Sequence, residues 1–193
     1  MRKISLEDIT GLSAYEKMRE DFRRRIIELK KRRRLSVGDK VSLVFENRDT
    51  VIFQIQEMVR AERITDLDKI REEVEVYNSL VPEPDELSAT LFLEIEDQTH
   101  LREELLKFLG IDEVVFLKIG HQHSIHAKFE EGHSKEDKIS AVHYVKFPFT
   151  REQIQAFTKD TEDAILSIDH PNYRARAIIE PEVKKSIAQD LLT

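Results

Sequence analysis

Residues 41–64, VSLVFENRDTVIFQIQEMVRAERI, constrain the fold more than any other part of this chain. Five apolar-leaning positions of strand length lead into the sharply polar run ENRD. Val51, Ile52, Ile55, Met58 and Val59 then recur at helical spacing, with Phe53 widening the stripe. Asn47 or Asp49 can accept from the free N–H groups at the start of that helix, which the spacing places at about 49–63. A stripe this wide belongs to a helix covered on most of its sides. The strand–turn–helix unit is therefore central, and the rest of the chain is arranged around it.

The flanking segments can be read in order. Ser13 with Glu16 has capping-box spacing, and Tyr15, Met18, Phe22, Ile26 and Leu29 mark one face of a long helix over 14–34 with a basic outer side. Gly38-Asp39 is a turn before a strand over 40–46. Thr65 with Asp68 opens a further helix whose inner face is Leu67, Ile70, Val74 and Tyr77. After Pro82 and Pro84 comes a strand over 88–95, then a helix capped by Asp97 and ended by Gly110. Residues 114–119, 123–129 and 139–147 alternate as successive antiparallel strands. A short helix over 150–157, strands over 164–168 and 173–179, and a helix opened by Pro181 complete the chain. Helices come first and strands dominate later. That order predicts an α+β single domain over 1–193, mainly an antiparallel sheet packed against several helices, with the long basic N-terminal helix on it or projecting from it.

Composition excludes several function classes. No cysteine is present, so thiolate metal sites, disulfides and cysteine nucleophiles are absent, and any metal must be a non-thiolate site for Zn, Fe or Mn. A cysteine-free chain without an apolar leader fits a cytoplasmic location, and no run of residues is apolar enough to enter a membrane. No P-loop, dinucleotide fingerprint, GxSxG or HExxH motif occurs. The net charge of −7 conceals a segregation: residues 17–34 carry ten Lys/Arg against three acids, whereas 66–86 carry eight acids against two bases. Opposite fields on one small domain point to docking, either between these two segments or with a charged protein partner. The acidic pI of about 5.6 argues against nucleic acid.

The strings FENRDT (45–50), QIQEM (54–58), AERI (61–64), YNSLVP (77–82), ELSATL (86–91), YVKF (144–147) and DHPNY (169–173) together resemble an uncharacterised bacterial domain-of-unknown-function family. Genes of that family are often found beside those of rubrerythrin-like and iron–sulfur oxidoreductase proteins. The resemblance implies an accessory protein of redox metabolism whose partner is a redox or iron–sulfur protein, or a second copy of itself. It supplies no catalytic residue.

Four groups of residues are candidates for chemistry. Arg48, Gln54, Gln56, Glu57 and Arg60 bring amides, a carboxylate and guanidinium groups close to the apolar stripe. They can line a ligand pocket in which Arg60 clamps an anion and Glu57 serves as base or metal ligand. The alternative is a network that fastens the helix, with Arg48 or Arg60 paired to Glu46, Glu57 or Glu86. His121, His123, His126, His133 and His143 cluster in sequence, with Glu130, Glu131 and Asp137 as further donors. Strand alternation points His126 away from His123, which leaves His123 and His143 on neighbouring strands as the best metal pair, or else one packed core histidine near a solvated hairpin. Asp169-His170-Pro171 reads as a turn rather than part of a triad with Ser88 or Ser167. The basic helix reads as a docking surface. Taken together, the sequence supports an accessory or interaction protein, with a His/carboxylate metal or ligand site as the alternative.

Overall fold

The computed structural model describes residues 1–97, 99–130, 134–135, 138–159 and 162–192. Six helices and two main antiparallel sheets follow one another as α1 (Leu12–Lys31), β1 (Arg34–Val37), β2 (Val41–Glu46), α2 (Arg48–Ala61), α3 (Leu67–Tyr77), β3 (Glu86–Leu93), α4 (Leu101–Leu106), β4 (Val115–Ile119), β5 (His123–His126), β6 (Lys128–Phe129), β7 (Ser134–Lys135), β8 (Lys138–Ile139), β9 (Val142–Pro148), α5 (Arg151–Thr158), β10 (Ala164–His170), β11 (Tyr173–Ile178) and α6 (Pro181–Ala188). Sheet A has the order β1-β2-β3-β9-β6, sheet B the order β11-β10-β4-β5, and β7 and β8 form a small ladder of their own.

The expected α+β single domain is the architecture observed, in three layers. Alternate residues of sheet A (Leu43, Phe45, Leu87, Leu91, Val145, Phe147) meet alternate residues of sheet B (Val115, Leu117, Ile125, Leu166, Ile168) in one apolar core. The other face of sheet A is roofed by α1, α2 and α3, where Val51, Ile55, Val59, Ile70, Val74 and Leu80 make a second core. Strand β2 is buried along its whole length because it is covered on both faces. The apolar run at its start is explained by that position.

Several local readings change. Helix α4 runs only from Leu101 to Leu106 behind His100 rather than Asp97, and the strand expected over 139–147 is divided between β8 and β9. Strand 123–129 is not continuous: β5 pairs with β4 in sheet B, and β6 pairs with β9 in sheet A. The crossing is at Ala127, whose N–H still donates to Val115 O (2.9 Å). One strand thus serves both sheets, as at the corner of a sandwich. Helix α1 starts at Leu12 behind an N-cap Gly11, not behind Ser13, and stops at Lys31. The run that looked like its last turn contains the missed strand β1 and a buried Arg33, which is 1% exposed. The Arg33 guanidinium donates to Phe45 O (2.7 Å), Glu46 O (3.1 Å) and Ser186 O (3.2 Å), and pairs with Asp190. Finally, Leu67 lies outside the core: α3 is capped by Asp66, and its buried residues are Ile70 and Val74.

Candidate functional site

Helix α2 is positioned by a reciprocal cap: Asn47 Oδ1 accepts from Thr50 N (3.0 Å) and Thr50 Oγ1 accepts from Asn47 N (2.9 Å). Its five candidate residues do not converge. Glu57 accepts from Tyr15 Oη (2.7 Å) and from Arg19 Nε and Nη2 (2.8 Å each). The forked Arg19 contact holds the Glu57 carboxyl below its ordinary range, while burial and Glu57 push the Tyr15 hydroxyl up. Gln56 Oε1 accepts from Thr10 N (2.6 Å) and its Nε2 donates to Thr10 O (3.0 Å). Arg60 Nε reaches Glu16 (2.6 Å), and Arg48 Nη2 reaches Asp8 (2.6 Å). The partners Asp8 and Glu16 replace the expected Glu46, Glu57 and Glu86, because the N-terminal segment lies across the helix. Gln54 Nε2 is buried without a hydrogen bond among the described residues. The polar side of α2 fastens α1 and the N-terminal segment to the roof.

The histidines are dispersed. His123, half-buried, faces Ile119 across the β4–β5 ladder, and His126 stacks on Phe116 (4.9 Å between centroids) with Nε2 3.1 Å from Asp112 O. His121 occupies the β4–β5 turn, beside a shallow cleft shared with Glu162 and Asp163. His143 is buried in sheet A, with its ring edge-on to Phe129 (5.5 Å). His123 and His143 are therefore in different sheets rather than on neighbouring strands, a consequence of the crossing at Ala127. Glu131, His133 and Asp137 lie outside the described residues. Among the described residues, no group of three or more His, Asp or Glu side chains is placed to hold a metal ion.

His170 is structural. Its Nδ1 accepts from Asn172 N (3.2 Å), so Nε2 carries the hydrogen and donates to Leu109 O (2.8 Å). This ties the β10–β11 turn to the end of α4. The basic helix pairs locally and with α2 (Arg24–Asp21, Lys31–Glu28, Arg19–Glu57), and none of the ion pairs among the described residues joins it to the acidic 66–86 segment.

Two features lay outside the sequence reading. The first is a half-open cavity of about 150 Å³ at the edge of the helical roof. Across sheet A, on the face turned to the helices, the ladders align Glu46, Ser88, Lys146 and Lys128 in one row. Glu46, 2% exposed, is held by the hydroxyls of Thr90 (2.7 Å) and Thr50. Leu80 and Tyr144 wall the cavity, with Ser88, Lys128, Glu130 and Lys146 at its floor and rim and the strand backbone at Phe129 and Val145 behind them. Burial, Glu130 and Glu46 push the Tyr144 hydroxyl up, so it remains a proton donor. The second feature is the outer face of sheet B. Arg174, Arg176, Ile178, Asp169, Ser124 and His126 are exposed there, and Phe116, Lys118 and Ile165 half-buried. Nothing in a single sequence separates this face from a solvated one. Only the two-sheet packing shows that, among the described residues, no third layer covers it.

No helix is long and apolar enough to cross a membrane among the described residues. None of the curated proteins matches the chain. A crystal structure of a novel protein of unknown function from Burkholderia pseudomallei K96243 is similar over 98% of this chain and 100% of its own, with 34% identity and a TM-score of 0.92. The model of the family described as "Protein of unknown function (DUF3501)" matches residues 3–191, and the chain belongs to that family.

Proposed function

We propose that this is a cytoplasmic accessory protein that works by docking onto a protein partner through the outer face of sheet B. The observation that carries this reading is the composition of that uncovered face. The antiparallel sheet presents an aromatic and aliphatic centre (Phe116, Ile165, Ile178) flanked by Lys118, Arg174 and Arg176. Arg174 is paired with Asp169 (3.0 Å), whereas Lys118 and Arg176 enter no ion pair among the described residues. Ile178 is 56% exposed, an unusual position for a large aliphatic side chain on a sheet. An apolar centre with a charged rim is the anatomy of a protein interface, and the uncompensated bases select an acidic partner surface. The family resemblance implies the partner class, a redox or iron–sulfur protein.

Affinity isolation from the native host at low salt tests this. The expected result is one stoichiometric iron-containing partner, released at about 0.5 M salt, where charges on an exposed interface are screened. A homodimer that buries the same face, or a monomer isolated with no such partner, overturns it.

A further inference from the structure

We propose that the cavity between sheet A and the helical roof binds a small apolar monocarboxylate, about the size of a single aromatic ring. Size comes first. The cavity measures about 150 Å³. An apolar cavity of roughly that volume accommodates one benzene ring. Its walls match such a body: Leu80 and the Tyr144 ring present aliphatic and aromatic surface on the helix-facing side of sheet A, beside the stems of Lys128 and Lys146.

The polar groups are few and specific. Ser88 is 2% exposed, lines the cavity, and makes no hydrogen bond through its hydroxyl among the described residues. The hydroxyl oxygen is not sealed off inside the protein, so it can bond a ligand or a water in the cavity. Lys146 stands directly across the ladder from Ser88, and Lys128 directly across from Lys146. Lys146 is held by Glu86 (2.7 Å), whereas Lys128 enters no ion pair among the described residues. Lys128 therefore supplies a positive charge at the mouth, with the Ser88 and Tyr144 hydroxyls as neutral donors. Together they suit a carboxylate head above an apolar body. Glu130 opposes this from the same rim and sets the sign of a control.

The test is a titration of the full chain with benzoate, followed by amide chemical shifts in two-dimensional NMR, with benzylamine, benzyl alcohol and acetate in parallel. Benzoate should saturate at millimolar concentration or below, moving the amides of Ser88, Lys128, Tyr144 and Lys146. Acetate, lacking the ring, and benzylamine, carrying the wrong charge, should each bind at least roughly tenfold more weakly. Lys128→Gln, at an exposed position, should weaken benzoate roughly tenfold without changing the melting temperature, and Glu130→Gln should strengthen it. Four results overturn the proposal: no saturable shift by about 20 mM benzoate, equal binding of acetate or of benzylamine, or no effect of Lys128→Gln. The outcome is independent of the sheet B interface, which lies on the opposite layer.

Discussion

Arg33 shows at the scale of one residue how a charge can organise a fold. Its guanidinium is buried with Asp190, and its remaining donors reach three backbone carbonyls, so β1, β2 and the C-terminal helix meet at one side chain. Removing one partner leaves the other charge buried and unpaired. Arg33→Met should therefore lower the unfolding free energy by about 3–5 kcal/mol, and Arg33→Met with Asp190→Leu should recover most of the loss. Urea denaturation of the two variants checks this; equal losses would show that the pair itself contributes little. Asp8 carries the pH dependence. The Arg48 guanidinium and the Ser5 N–H lower its pKa from the ordinary 3.8 to about 2. A depressed folded-state pKa means that the stabilisation is complete above the ordinary value and lost as the pH falls through the folded one. The stability gap between the parent and Asp8→Asn should be full at about pH 7 and close as the pH falls towards 2. A gap that persists unchanged into acid would show that Asp8 acts through something other than its charge.

At the scale of elements, the β1–β2 turn is fixed from outside its own hairpin. Gly38 has φ +74°, and a Cβ there would come 2.3 Å from Tyr173 Oη. Tyr173 Oη donates to Val37 O (2.6 Å) and accepts from Lys40 N (3.0 Å), so β11 of sheet B holds the corner of sheet A. Gly38→Ala combines a left-handed backbone with a steric clash and should cost more than about 1 kcal/mol. Tyr173→Phe should cost about 1–3 kcal/mol through the orphaned backbone groups. Thermal melts of both variants decide it, and near-parent values would exclude the corner as a stabilising contact. Much of this level was legible in the sequence. The helix over α2, its Asn47 cap, the buried stripe and the later strands follow from spacing alone. What stayed hidden depended on contacts between distant segments. The basic run 32–34 reads as helix unless Asp190 is known to receive Arg33. Strand 123–129 reads as one element because alternation continues through Ala127 while the hydrogen-bond partner changes from β4 to β9. For the same reason the candidate residues of α2 could be named, but Asp8, Thr10, Tyr15 and Glu16 as their partners could not. The cavity was equally invisible, since Ser88 and Lys146 look like ordinary outward-facing strand positions until a helical roof closes over them.

At the scale of the molecule, the three layers are asymmetric. Among the described residues, sheet A is covered twice, by sheet B and by the helices, and sheet B only once. The uncovered layer combines exposed Ile178 with Lys118 and Arg176, whereas the basic helix α1 already spends part of its charge on neighbouring carboxylates. The proposed docking therefore uses the second sheet rather than the helix that dominates the charge pattern of the sequence. The decisive measurement is quantitative capture of partner from the native host at low salt, comparing the parent with Lys118→Glu/Arg176→Glu and with Arg24→Glu/Arg25→Glu as a control on α1. The account predicts that the sheet variant loses the partner while its melting temperature and the capture by the α1 variant stay at parental levels. Undiminished capture by the sheet variant, or loss confined to the α1 variant, would contradict it.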